Sequence, residues 1–278
     1  MSHVVRVAPE PIVRGELEIH AVPAATDNLV WLVVCRRTGE AAVVDGPSCA
    51  EVLAYAGARG ISVGAVWNTH THGDHVGINR DLLARGELPP RVYGGVPEVP
   101  GITDLVGEGS TVRLGALTAA VWRTEGHLHG HVSFVLPGAV FCGDTLFAGG
   151  CGRVLGGTHQ QLFESLMRLA ELPGDTLVCC AHEYTRDNLR FAWSVEPDNQ
   201  ALATRIARVW SLLDQGRTAV PSTIDDERAT NPFLRPGSPT LVSAVDPAAR
   251  ATPLGVFTAL RTLKDHGAYR ALPDPRAA

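Results

Sequence analysis

Thr69-His70-Thr71-His72-Gly73-Asp74-His75 sets three imidazoles and a carboxylate in the order H-x-H-x-D-H. Neutral imidazole and carboxylate are favoured ligands of zinc, iron and manganese. The apolar run just before, Ile61-Ser62-Val63-Gly64-Ala65-Val66-Trp67, reads as a buried strand. Ligands at the end of a buried strand stand on a rigid base, as catalytic loops do. The plain alternative is an exposed polar turn that happens to be rich in histidine. The defined spacing, directly after a strand, argues for the metal site.

Further ligand types recur at the ends of later strand-like runs. Thr124-Glu125-Gly126-His127-Leu128-His129-Gly130-His131 carries three histidines. Phe141-Cys142-Gly143-Asp144-Thr145 puts an aspartate after an apolar strand, and Val178-Cys179-Cys180-Ala181-His182 puts a histidine there. Any one of these alone reads as structural. Together with H-x-H-x-D-H they point to a centre assembled from several strand ends.

Up to about Glu183, strand-like and helix-like pieces alternate. Leu29–Cys35, Glu40–Val44, Ile61–Trp67 and Thr176–Cys180 are expected strands. So are Val112–Val121, as two strands around Gly115, and a hairpin of His131–Leu136 and Ala139–Cys142. Cys49–Gly60, Ile78–Arg85 and Gln160–Leu172 are expected helices. Beyond Tyr184 the pattern becomes helical, at Arg186–Val195, Gln200–Gln215 and Pro253–Asp265, with a loop-like stretch over Val220–Val245 and no strand alternation. This predicts an α/β domain over 1–183 and a helical domain over 184–278.

The chain has 278 residues, enough for that organisation, and 45% of them are hydrophobic, enough for a filled core. With a net charge of −5, nothing suggests the broad basic surface that a nucleic-acid binder needs, and no nucleic-acid partner is expected. No membrane association is expected, since the apolar run Leu29–Cys35 is far too short to span a bilayer. Met1–Arg6 lacks a secretory pattern, so a cytoplasmic location is expected. The six cysteines form no C-x-x-C pair and read as reduced, mostly buried thiols. The expected state is a monomer or a weak homo-oligomer.

The order of motifs resembles the metallo-β-lactamase fold, an αββα sandwich, and specifically glyoxalase II, the hydroxyacylglutathione hydrolases, with a C-terminal helical domain. The resemblance rests on H-x-H-x-D-H, Gly143–Arg153, Ala181-His182-Glu183-Tyr184-Thr185, Asn188–Ala192 and Asn231-Pro232-Phe233-Leu234-Arg235. It runs over nearly the whole chain. It implies two divalent metal ions, zinc first, with iron or manganese as alternatives. One would be held by His70, His72 and His127, the other by Asp74, His75 and His182, with Asp144 bridging. His131 matches a supporting histidine of the family pattern, and His129 reads as an ordinary loop residue. His3, His20, His159 and His266 have no metal context and are expected at the surface. Asp45 reads equally as a carboxylate orienting a ligand and as a plain turn residue.

The implied reaction is hydrolysis of S-D-lactoylglutathione to glutathione and D-lactate, in methylglyoxal detoxification. Asp74 and Asp144 would be the catalytic carboxylates. Arg153, Tyr184, Arg261 and Lys264 would contact the glutathione part. Arg261 and Lys264, three apart, share one helix face and alone would read as a solvated surface. Leu155 stands where several relatives have an aromatic residue, and Glu125 where proline is common. No G-x-S-x-G elbow supports a serine hydrolase. The alternatives are an iron-dependent persulfide dioxygenase of the same fold and a non-enzymatic metal- or glutathione-binding relative.

Overall fold

The computed structural model describes residues 4–5, 7–245 and 252–275. His3 lies outside the described residues. Among those residues, one sheet holds β1 (Ile12–Arg14), β2 (Leu17–Ala24), β3 (Asn28–Cys35), β4 (Ala41–Val44), β5 (Val63–Trp67), β6 (Arg91–Gly94) and β7 (Asp104–Leu105), side by side in that order. Pairing is antiparallel from β1 to β4 and parallel from β4 to β7. The second sheet is built on β8 (Thr111–Leu114), β9 (Leu117–Arg123), β10 (Val132–Leu136) and β11 (Ala139–Gly143). A small hairpin of β12 (Leu146–Phe147) and β13 (Gly150–Cys151) follows. The second sheet is completed by β14 (Leu177–Cys180), parallel to β11, and β15 (Ser222–Thr223), antiparallel to β14.

Alternation places the two faces of the first sheet in different surroundings. Leu29, Trp31 and Val33 of β3 face the second sheet, where the Trp31 ring sits 6.0 Å from Phe141. Trp67 meets Phe134 at 5.0 Å across the same core. Val30, Leu32 and Val34 face the other way, under α1 (Ala50–Gly57) and α2 (Gly73–Arg85). Because β3 is covered on both faces, it reads as the unbroken apolar run Leu29–Cys35. Helix α3 (His159–Leu169) lays Leu162, Leu166 and Leu169 on the second sheet's core, its start fixed by a Thr158–Gln161 capping box. This is the αββα sandwich expected from the motif order.

The remaining α-helices among the described residues are α4 (Thr185–Val195), α5 (Gln200–Asp214), α6 (Ile224–Thr230), α7 (Pro239–Ala244) and α8 (Pro253–His266). Two expectations are corrected here. Val220–Val245 is not a loop: it holds β15, α6, a 3-10 turn at Pro232–Leu234 and α7. The C-terminal half also contributes a strand, since β15 adds an edge to the second sheet. Thr223 caps α6 by accepting from the Asp226 amide, and Asp225, Asp226 and Glu227 sit in its first turn. All six cysteines are buried. No helix among the described residues is long and apolar enough to cross a membrane.

Candidate metal centre and adjoining cleft

Helix α2 begins inside the H-x-H-x-D-H motif, not at Ile78 as the sequence suggested. His72 is its N-cap and Asp74 lies in its first turn. The loop between β5 and the helix is fixed by Asn68, which is fully buried. Its Nδ2 donates to the His75 carbonyl at 3.1 Å and to Asn79 Oδ1 at 3.0 Å. Asn79 Nδ2 donates back to Asn68 Oδ1 at 2.8 Å. Helix α2 passes so close to the Pro47 carbonyl that a side chain at Gly77 would overlap it.

Three further strand ends deliver the other ligand types. His127 follows β9, Asp144 follows β11 and His182 follows β14. His72 Nδ1 lies 3.0 Å from both His70 Nε2 and His127 Nε2. His127 Nε2 is 3.6 Å from Asp144 Oδ2. On the other side, Asp144 Oδ1 is 3.4 Å from His75 Nε2 and 3.5 Å from His182 Nε2. Asp74 Oδ2 is 3.3 Å from His182 Nε2 and 3.8 Å from His75 Nε2. Thus all seven residues named from the sequence converge, in two groups that share Asp144, one oxygen toward each.

The donor set fits two divalent cations. Donors bound at about 2.0–2.1 Å around a tetrahedral ion lie roughly 3.3 Å apart, close to these separations. His75 Nε2 and Asp144 Oδ1 are buried without a hydrogen-bond partner, which is costly unless a cation takes them. Burial, reinforced by the neighbouring imidazoles, holds His70 well below the ordinary histidine pKa, so it is neutral and able to ligate. His127 is also lowered, chiefly by burial. The other half favours positive charge. Burial opposes it, yet Asp144, Asp27 and Asp74 push His182 up to about 10. Asp144 and Asp45 likewise outweigh burial at His75. The hydrogen bond from His182, against the effect of burial, holds Asp74 well below the usual carboxylate range.

Asp45 orients His75 and is no plain turn residue. It is 3% exposed, with φ of 55°. It accepts from the Thr69 amide at 2.8 Å and the Thr69 hydroxyl at 2.6 Å, and its Oδ2 is 2.9 Å from His75 Nδ1. His131 is buried behind the centre. Its Nδ1 lies 3.1 Å from Thr124 Oγ1, and its Nε2 accepts from the Asp144 amide at 3.3 Å. His129 stays exposed beside Glu125. Glu125 accepts from the Gly130 amide at 2.7 Å and so ties down the loop that carries His127. His266 is exposed and His159 partly so, but His20 is buried, 3.1 Å from the Tyr55 hydroxyl, correcting its expected surface position. Sequence reasoning missed Asp27, whose Oδ1 lies 2.9 Å from His182 Nδ1, and Asn28, which donates to Asp74 Oδ2 at 3.3 Å.

A cavity of about 470 Å³ adjoins the centre, lined by His72, His127, Asp144 and His182 at one end and by Arg153, Arg261 and Lys264 at the other. Arg261 and Lys264 are no solvated surface: they are 2% and 6% exposed. Arg261 donates to the Cys151 carbonyl at 2.9 Å and to Asp265 at 3.0 Å, which positions the turn that carries Arg153. Lys264 donates to Asn188. Burial first, then the Arg261 charge, lower the Lys264 pKa to about 7. Tyr184 stacks on His182, with ring centres 4.8 Å apart and planes 4° from parallel. Leu155 stands at the rim, 59% exposed.

The cleft also depends on the C-terminal half. Glu227, fully buried, accepts from the Gly149 amide at 2.8 Å and pairs with Arg205. Asn231 donates to the Gly150 carbonyl at 2.9 Å and to Glu227 at 2.9 Å. These bonds seat the β12–β13 hairpin between Asp144 and Arg153.

Sequence comparison bears on the same two regions. A family model described as metallo-beta-lactamase superfamily matches residues 25–95 and 84–182. A model described as hydroxyacylglutathione hydrolase C-terminus matches residues 183–267. A Synechococcus protein named hydroxyacylglutathione hydrolase is 42% identical over 259 residues, 90% of this chain and 99% of its own length. Proteins of that name from Gloeobacter violaceus and Cupriavidus metallidurans are 46% and 47% identical, covering 89% and 82% of this chain and 98% and 90% of their own. Among solved structures, ETHE1 from Myxococcus xanthus aligns with a TM-score of 0.61 at 23% identity, over 96% of this chain and 92% of that one. At that identity the likeness speaks to the fold alone. The sequence relatives go further: over about nine-tenths of its length, the chain belongs to the hydroxyacylglutathione hydrolase family of the metallo-β-lactamase superfamily.

Proposed function

We propose that the chain hydrolyses hydroxyacylglutathione thioesters, with S-D-lactoylglutathione yielding glutathione and D-lactate. The observation that carries this reading is a cleft in which the His/Asp cluster adjoins four cationic side chains, Arg153, Arg261, Lys264 and Arg270. The relatives' shared name supports the substrate class. We assign His70, His72 and His127 to one divalent cation and Asp74, His75 and His182 to the other, with Asp144 between them. Zinc leads, and iron and manganese share the same donor preference. Such cations, when bound, supply a water of near-neutral pKa and polarise a carbonyl oxygen.

The chain's own residues do the remaining work. Asp74 keeps 43% of its side chain exposed and is held ionised by His182, so it can accept a hydrogen bond from an attacking water and orient it. Arg153, Arg261 and Lys264 offer positive charge to the carboxylates of the glutathione part. Tyr184 is held against His182 by stacking, which directs its ring along the cleft. Phe147 and Leu155 give an apolar border for the acyl or peptide part. Residues 1–183 then form the catalytic unit and 184–278 the substrate-binding unit, joined by a shared core and by the Glu227 and Asn231 bonds.

The test gives the purified protein, at defined metal content, S-D-lactoylglutathione and, separately, glutathione persulfide with oxygen. Metal-dependent release of glutathione from the thioester is the expected result. Oxidation of the persulfide with no thioester hydrolysis overturns the reading.

A further inference from the structure

The two halves of the ligand cluster are braced by different chemistry. His75 Nδ1 lies 2.9 Å from Asp45 Oδ2, and His182 Nδ1 lies 2.9 Å from Asp27 Oδ1. In the other half the braces are uncharged. The Thr69 hydroxyl, its proton given to Asp45, is 3.1 Å from His70 Nδ1. The Arg153 carbonyl is 2.8 Å from His127 Nδ1. Each arrangement fixes the tautomer that leaves Nε2 free to ligate. A carboxylate also makes that nitrogen a stronger donor. The half with the carboxylate braces further owns Asp74, whereas the other has three imidazoles and its share of Asp144.

Asp27 is built into this role. It sits in the turn between β2 and β3, far from His182 in sequence. Its carbonyl accepts from the Glu183 amide at 2.8 Å, and the Leu29 amide donates to the Ala181 carbonyl at 2.7 Å. These bonds stitch the turn to both sides of His182. The next residue, Asn28, aims Asp74. One turn therefore sets two of the three ligands of that half.

We infer that Asp27 is a positioning residue that, together with Asp45, makes the Asp74–His75–His182 half the tighter cation site, so that it fills before the His70–His72–His127 half. This rests on the ligand assignment proposed above. Zinc chloride is added stepwise to the metal-stripped full-length protein, and the imidazole nitrogens are followed by NMR. The first equivalent is expected to shift His75 and His182, and the second to shift His70, His72 and His127. The reverse order, or simultaneous shifts, overturns the inference while leaving two bound ions per chain. Fewer than two bound ions overturns the ligand assignment itself, and the inference with it.

A second measurement separates positioning from general support. Asp27→Asn should weaken zinc binding about 10–100-fold in a His72→Ala background, where the braced half remains. In a His182→Ala background it should leave zinc affinity unchanged. An equal effect in both backgrounds, or none in the first, overturns the role given to Asp27.

Discussion

Lys264 sets folding against binding, and the conflict can be measured. Its side chain is almost fully buried on α8, bonded to Asn188 and 3.7 Å from Asp187. Burial and Arg261 lower its pKa from 10.5 to about 7, against the raising effect of Asp187. Between those two values the unfolded chain binds more protons than the folded one, so stability rises with pH across that window. Below about pH 7 both states carry the proton and the slope from this group vanishes. Linkage puts the penalty at about 4 kcal/mol at pH 7 and about 2 kcal/mol at pH 9. Lys264→Met keeps a flexible stem of similar volume and removes the charge. It also leaves Asn188 without that partner, which costs about 1–3 kcal/mol. The variant is therefore expected to gain about 2 kcal/mol at pH 7, and to lack about 2 kcal/mol of the parent's rise between pH 7 and 9. Urea unfolding of both proteins at both pH values reads this, since other titrating groups cancel in the difference. In the thioester assay, KM should rise with kcat nearly unchanged, because the cation binds substrate and transition state alike. Equal pH slopes for the two proteins would refute the burial argument. A fall in kcat at constant KM would refute the binding role.

Two other perturbations test the centre and its support. Asp144→Ala removes the carboxylate that faces both ligand groups, so metal content should fall below two ions per chain along with activity; elemental analysis that still finds two ions refutes the bridging assignment. Arg205→Leu strands the buried Glu227 carboxylate, which should cost about 3–5 kcal/mol in urea unfolding, and a loss under about 1 kcal/mol would show that the pair bears little of the hairpin's support.

The residues of the His/Asp cluster were legible in the sequence because each follows an apolar run, and a strand's C-terminal end is where a chain leaves the sheet with its side chains fixed. Strand β3 was legible for the same reason, as a segment buried on both faces. Where long-range pairing decided the outcome, the sequence was silent. Asp27 and Asn28 occupy an ordinary polar turn, and only the fold brings them to His182 and Asp74. Two-residue β15 has too little pattern to read, and it exists because β14 offers it an edge. Helix α6 is short and charged, so its signal lay in its Thr223 cap and acidic first turn. The first turn of α2 was hidden because glycine and histidine are poor helix formers, while the Asn68–Asn79 pair and the close pass of Gly77 over Pro47 hold it in place. His20 looked exposed for want of a metal context; alternation sets it on the face of Glu18, and only the second core, which takes Val22 and Ala24 from that face, buries it.

The Glu227–Asn231 clamp on the β12–β13 hairpin bears on how such a protein can be re-engineered. Exchanging everything after residue 184 for a segment of another specificity would be no modular swap. A transplanted segment lacking a matching acid and amide would strand the Gly149 amide and the Gly150 carbonyl, and the turn leading to Arg153 would lose its anchor. Selectivity in this scaffold is better retuned by single replacements at the rim, at Leu155 or along α8, which leave that clamp intact.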